Sequence, residues 1–252
     1  MRRNRVIPVL LIHKGGVYKT KRFEKPRYIG DPINAIRLYN DLQADEIIIL
    51  DIDASKQNIS PNLEIIEDIV SEAFMPVAYG GGINNVNLAG EILKTGVEKI
   101  ILNKLVQRNQ ESLKNYINRF GSSSVVVCID YKIDSSGIRR QFDHVSMSSL
   151  ESSVEDAVKA LQAIGVGEIM IHSVDRDGLM MGLDIETIKK ISSFIEIPMI
   201  ACGGAGKIED LMDATEAGAN AVAAGSMFVY LGKLNGVMIN YPSEEILSRY
   251  IR

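Results

Sequence analysis

Short, nearly all-apolar runs recur along this chain at 5–12, 46–52, 76–80, 99–103, 124–130, 168–174, 198–202 and 221–225. Such runs read as strands covered on both faces. Between them, apolar residues fall at helical spacing over 32–43, 61–73, 85–95, 107–120, 151–164, 184–194, 207–217 and 243–252. Asp31 followed by Pro32 marks the first helix start, a capping side chain ahead of a residue that suits the first turn. Strands alternating with helices predict parallel strands joined by helical crossovers. Eight such units in 252 residues fit a (β/α)8 barrel, with a doubly wound open sheet as the alternative. Two polar stretches interrupt the rhythm. Residues 13–29 read as a long Lys- and Arg-rich loop, either a functional lid or a solvated connection. Residues 131–149 read as a small hairpin beyond an Asp134-Ser-Ser-Gly137 turn.

The chain also repeats itself. Pro76-Val-Ala-Tyr-Gly-Gly-Gly-Ile83 returns 122 residues later as Pro198-Met-Ile-Ala-Cys-Gly-Gly-Ala-Gly206 (198 − 76 = 122). The same offset relates Glu46 to Glu168, Asp53 to Asp175, Gly96 to Gly218 and Asn103-Lys104 to Gly225-Ser226. A long ungapped self-match means two copies of one unit. It divides a single barrel domain into halves of about 1–120 and 121–252 and disfavours an open sheet, which has no use for equivalent halves. Glycines at a strand end allow a tight turn, or let backbone N–H groups approach an anion. Two equivalent glycine-rich ends favour the second use and a ligand with a phosphate at each end.

Composition narrows the classes. The chain is 46% hydrophobic and 24% charged, with a net charge of −4, which suits a globular protein and not a nucleic-acid binder. Cys128 and Cys202 lack metal-ligand spacing and read as reduced thiols of a cytosolic protein; no metal or cofactor is expected. Arg2, Arg3 and Arg5 lead straight into a strand without the apolar run of a signal peptide. No run approaches the ~20 apolar residues of a membrane span.

In this fold chemistry sits at the C-terminal strand ends. Asp130 ends the fifth strand and is either a general acid or base or a capping carboxylate. If its side chain points inward, so does that of Cys128, two residues earlier. His172 shares the parity of Glu168 and Met170 and is either a proton carrier or a packed, hydrogen-bonded residue. At the N-terminal ends, Arg5, Glu46, Lys99 and Glu168 bring two cations and two anions together, as a salt-bridge plug or as a gate on an axial channel.

These residues resemble the cyclase subunit family of imidazole glycerol phosphate synthase (HisF). The resemblance spans the chain and rests on Arg5-Val-Ile-Pro8, Gly30-Asp-Pro32, Tyr79-Gly-Gly-Gly-Ile83, Phe120-Gly-Ser122, Ile129-Asp130, Gly167-Glu-Ile169, Asp175-Arg-Asp-Gly178 and Ala201-Cys-Gly-Gly-Ala-Gly206. It implies a barrel that takes ammonia from a HisH-like glutaminase docked at its bottom and reacts it at the top with a bis-phosphorylated ribonucleotide. Arg5, Glu46, Lys99 and Glu168 then match the ammonia gate, and Lys19 the functional lysine of the first excursion. Gly81, Gly82, Asn103, Lys104, Asp177, Gly178, Gly203, Gly204, Gly225 and Ser226 match the phosphate sites. The family uses two catalytic aspartates. Asp130 matches the second, but Leu11 stands at the first and cannot transfer a proton. Cys202, Lys104 and His172 also depart from the family pattern. The combination resembles a branch that passes ammonia to a third enzyme, which amidates an acetamido sugar of surface polysaccharide. The alternatives are a true cyclase, with His172 or Asp51 covering for the missing aspartate, and a non-catalytic activator of the glutaminase.

Overall fold

The computed structural model describes residues 4–108, 110–232 and 234–251. Arg2, Arg3 and Arg252 lie outside the described residues. Eight strands form the barrel: β1 (Arg5–His13), β2 (Ile47–Asp51), β3 (Val77–Gly80), β4 (Lys99–Leu102), β5 (Val125–Ile133), β6 (Glu168–Ser173), β7 (Met199–Cys202) and β8 (Ala221–Ala224). Each pairs with the next in parallel, and β8 closes onto β1 through pairs from Arg5↔Ala221 to Pro8↔Ala224. The open sheet is therefore excluded, and the (β/α)8 barrel stands.

The outer layer comprises α1 (Pro32–Asp41), α2 (Leu63–Glu72), α3 (Val86–Lys94), α4 (Leu113–Phe120), α5 (Val154–Ile164), α6 (Ile185–Ser192), α7 (Ile208–Glu216) and α8 (Glu244–Tyr250). Local chemistry sets their starts. Asp31, Asn62, Asn85, Ser153 and Asp184 each accept a backbone N–H from the first turn of the helix that follows, satisfying donors that the helix leaves open. Among the described residues no helix is long and apolar enough to cross a membrane.

Alternation along the strands separates two cores. Val6 and Leu10 face the helices in the larger one. Ile7, Val9, Ile48, Ile101, Cys128, Met170 and Cys202 belong to a smaller core inside the barrel. Small residues, Ala78, Ala221 and Ala223, complete it, because eight inward rows cannot all carry large side chains.

Residues 13–29, expected to be a loop, are mostly sheet. Strands Gly16–Lys21 and Glu24–Gly30 form an antiparallel hairpin that also pairs with the end of β1. The physical reason is that β1 runs past the barrel rim to His13, where its edge needs a new partner. Val17 supplies an apolar anchor and is fully buried. The hairpin expected within 131–149 is present: β5 pairs with Arg139–Asp143, which pairs with Ser148–Ser153. That last strand delays the start of α5, expected at 151, to Val154. The helix expected over 107–120 is broken into Lys104–Arg108 and α4.

The repeat survives in the structure. Val77–Gly80 maps onto Met199–Cys202, Val86–Lys94 onto Ile208–Glu216, and Lys99–Leu102 onto Ala221–Ala224, each by 122 residues. Its close contacts repeat as well. A Cβ on Gly81 (φ +119°) would lie 2.3 Å from the Asp51 carbonyl oxygen, and one on Gly203 (φ +96°) would lie 2.5 Å from that of Ser173 (81 + 122 = 203; 51 + 122 = 173). These glycines are thus required by positive φ and by backbone packing. Gly203→Ala should cost more than about 3 kcal/mol. Gly137→Ala, at φ +79° with nothing near its Cβ, should cost about 1–2 kcal/mol. Urea unfolding of both variants checks this; equal losses would contradict the packing argument.

Candidate active site at the barrel mouth

The C-terminal strand ends surround a cleft of about 160 Å³. Every residue expected at the top lines it: Lys19, Asp130, His172, and the ten glycine-rich and polar positions at 81, 82, 103, 104, 177, 178, 203, 204, 225 and 226. Short helical turns open at Lys104 and at Ser226, again 122 residues apart. Lys104 and Ser226 line the cleft together with the glycine-rich strand ends, and such loops and short helices hold phosphate in many barrels. The starts of the longer helices are already occupied by side chains. Asn85 accepts from Leu88 N at 2.9 Å, and Asp210 accepts from Gly206 N at 2.8 Å and Lys207 N at 3.1 Å.

Pairing registers show what the two halves carry. Val9 pairs with Ile48 and Leu11 with Leu50; Cys128 pairs with Met170 and Asp130 with His172. Because 48 and 50 map to 170 and 172 by 122 residues, Leu11 is the structural counterpart of Asp130, at an offset of 119. The segment from Asp130 to the helix cap Ser153 is three residues longer than that from Leu11 to the cap Asp31 and absorbs the difference. One half of the rim therefore presents two leucines where the other presents a carboxylate and an imidazole. Equivalent positions elsewhere keep equivalent work. Asp53 accepts from Lys14 N and Asp175 from Ile133 N, both at 2.9 Å, each tying down the strand extension of its own half.

Asp130 is buried at the centre of a polar cluster. Its Oδ2 accepts from Asn103 Nδ2 at 2.8 Å and lies 3.2 Å from His144 Nδ1. Its Oδ1 lies 3.4 Å from His172 Nδ1 and 3.6 Å from Cys128 Sγ. His172 Nε2 lies 3.3 Å from Asp177 Oδ1, and the Phe23 ring meets the imidazole edge-on at 5.0 Å. Burial works against the charge on Asp130, but His144 and His172 outweigh it and hold the carboxyl well below the usual range. Burial likewise opposes the charge on His172. Cys202 and, more directly, the Asp130 and Asp177 carboxylates overcome it and raise the imidazole well above its ordinary value. Burial pushes the Cys128 thiol up to about 12. The cluster thus favours a charged imidazole, a charged carboxylate and a neutral thiol. His172 is neither a packing residue alone nor an isolated base.

Sequence reasoning missed His144 and Phe23. Both come from the excursions, and His144 had one available signal: it is one of only three histidines. Cysteine spacing also missed that Cys128, Asp130 and His172 converge, because the three come from two adjacent strands. Asp51 lines the cleft, but its Oδ1 accepts from Asp53 N and Ala54 N at 2.9 and 3.0 Å. Lys19 is buried, with Nζ donating to the Val9 carbonyl.

At the opposite end, Arg5 pairs with both Glu46 and Glu168, and Lys99 Nζ lies 3.4 Å from Glu46 Oε1 and 3.0 Å from Glu168 Oε2. The four charges form one alternating ring. Glu46 immediately precedes β2, Lys99 and Glu168 begin β4 and β6, and Ala221 begins β8 at the fourth such position, registered beside Arg5. The small methyl leaves room for the guanidinium.

A model of the histidine biosynthesis protein family matches residues 5–235. The chain belongs to that family. Within it the chain is HisF-like. It is 44% identical over 243 residues to a Pseudomonas aeruginosa protein provisionally named imidazole glycerol phosphate synthase subunit hisF2, covering 96% of this chain and 97% of the relative. A Vibrio vulnificus protein provisionally named subunit hisF3 is 41% identical over 250 residues, covering 96% and 94%. The imidazole glycerol phosphate synthase subunit HisF of Alkaliphilus metalliredigens is 36% identical over 227 residues, covering 90% of each.

Lys19 generates a pH prediction. Burial lowers its pKa to about 8, against the partial support of Asp177 and Cys202. A lysine with a lowered folded-state value binds fewer protons folded than unfolded between about 8 and 10.4, so stability rises with pH across that window. The destabilisation is fully present below pH 8. Lys19→Met should therefore raise stability by on the order of 3 kcal/mol at pH 7, with the gain fading towards pH 10.5. Denaturant unfolding at both pH values measures it; a pH-independent difference would contradict the buried cation.

Proposed function

We propose that this HisF-like chain is the ammonia-receiving subunit of a glutamine amidotransferase complex and that it does not carry out the histidine-pathway cyclisation. One observation carries the reading: the register that places Asp130 opposite His172 places Leu11 opposite Leu50 in the matching half. General acid–base groups contribute about 10²–10⁴-fold, and leucine offers no proton. The names of the relatives agree with a separate branch. Those at 41–44% identity carry provisional or numbered names, whereas HisF subunits without that qualification stand at 33–36%.

In this reading a HisH-like glutaminase docks around Arg5, Glu46, Lys99 and Glu168. Buried opposite charges cost desolvation, and apolar side chains would fill the space at less risk. A ring kept charged makes sense where a polar passenger such as ammonia must pass. Lys99 is the moving part, since its flexible stem can swing while its charge remains near a carboxylate. Above the ring the barrel interior is apolar, which excludes water from the route. At the mouth, the glycine-rich ends with Asn103, Lys104 and Ser226 hold the phosphate groups of a small ligand. The ammonia serves a third enzyme that converts an acetamido sugar into an acetamidino sugar in surface-polysaccharide synthesis. That final acceptor rests on the branch resemblance.

Expression of the chain in a strain lacking its own cyclase subunit should give no growth without histidine. Growth at ordinary expression would overturn the reading and favour a cyclase with a substitute acid. Co-purification with a glutaminase encoded nearby should yield a stable complex. In it, Lys99→Ala should leave the fold intact but raise glutamate formed per amidated product, or weaken docking. If no glutaminase binds, or if the variant changes neither quantity, the ring is a structural plug.

A further inference from the structure

We propose that Cys128, Asp130 and His172 are three ligands of a zinc-type metal site at the barrel mouth. One donor atom from each, all buried, lies within 4.8 Å of the others. The individual separations are informative. Asp130 Oδ1 stands 3.6 Å from Cys128 Sγ and 3.4 Å from His172 Nδ1. A closed charge-assisted histidine–carboxylate hydrogen bond is about 2.7–2.9 Å long, and the His172–Asp130 contact is longer than that. Tetrahedral zinc, with Zn–S about 2.3 Å and Zn–N and Zn–O about 2.0–2.2 Å, places its oxygen and sulfur donors about 3.6 Å apart and its oxygen and nitrogen donors about 3.4 Å apart. Both separations from Asp130 Oδ1 therefore match those of donors that share a tetrahedral ion.

The surrounding groups fit the same assignment. A metal-bound histidine usually gives its other ring N–H to a carboxylate, and a ligating carboxylate is itself held by hydrogen bonds. His172 Nε2 faces Asp177 Oδ1 at 3.3 Å. Asp130 presents only Oδ1 to Cys128 and His172, while Asn103 and His144 hold its Oδ2. Thiolate, imidazole and carboxylate together select zinc over magnesium or calcium, which prefer oxygen. Charge balances as well: a thiolate and a carboxylate neutralise the dication. Three protein ligands leave a fourth position for a solvent or ligand atom from the cleft. The proposal does not depend on the glutaminase or on the ammonia acceptor, and either can fail without the other.

The test uses the purified full chain, stripped of metal by a chelator and titrated with Co²⁺ without oxygen. One equivalent should bind and produce the intense visible bands of tetrahedral cobalt plus a thiolate-to-cobalt charge-transfer band, both removed by Zn²⁺. Cys128→Ser should lose the charge-transfer band, and Cys202→Ser should keep it. His172→Gln should weaken binding at least 10-fold, and Asp177→Asn about 10–100-fold, as expected for an outer partner. Circular dichroism confirms that each variant folds. Weak, octahedral-type bands or unsaturable binding in the unsubstituted chain would overturn the proposal whatever the variants do. A charge-transfer band that persists in Cys128→Ser would overturn it too.

Discussion

Closure of the sheet governs everything else in this molecule. Eight parallel strands joined edge to edge leave no free edge among them, and each side chain goes either to the barrel axis or to the helices. A one-residue slip in any strand would exchange those destinations. The consequences run the length of the axis. The same parity that buries Ile7 and Val9 inside directs Arg5 to the bottom and Leu11 to the cleft. The parity that buries Met170 directs Glu168 to the bottom and His172 to the top. Core and chemistry lie on one set of rows, so neither can shift without the other.

The two ends of those rows solve opposite electrostatic problems. At the bottom, two cations and two anions alternate, and each charge has two partners. Burial works against the charge on Arg5, but Glu168 and Glu46 outweigh it and raise its pKa. At the top, the carboxylate of Asp130 meets imidazole, amide and thiol, while the cation of Lys19 is buried with its pKa lowered. The lower ring is thus close to electrostatically closed. The mouth keeps groups whose protonation responds to whatever binds there, which is where reactivity belongs in this fold.

Much of this was legible in the sequence because it depends on periodicity. Apolar runs of strand length, the 122-residue repeat and inward parity placed the barrel, the bottom ring, the glycine-rich rims and the shared interior facing of Cys128 and Asp130. The excursions were harder to read. Residues 13–29 are polar, and polar residues in a hairpin beyond the barrel rim carry no burial pattern, although Val17 and Lys19 are buried. His144 and Phe23 reach the cleft from those hairpins, and no local rule gives their direction. The Cys128–Asp130–His172 cluster escaped for another reason. Spacing rules for metal ligands look along one segment, whereas these donors meet across neighbouring strands.

The comparison of the halves carries the furthest step. Where the chain needs the same mechanical job twice, it keeps it twice: Gly81 and Gly203 pack on equivalent carbonyls, and Asp53 and Asp175 clamp equivalent extensions. At the matched positions Leu11 and Asp130 on the first and fifth strands, the halves differ completely, with Leu11 beside Leu50 against Asp130 beside His172. At these positions the second half can bind or polarise a group, and the first half can only exclude water. Converting Leu11 alone to a carboxylate would place a charge against Leu50 with no imidazole to hold it. The loss of one aspartate is therefore not a single missing group. It belongs to a pair of matched positions that is polar in the second half and apolar in the first.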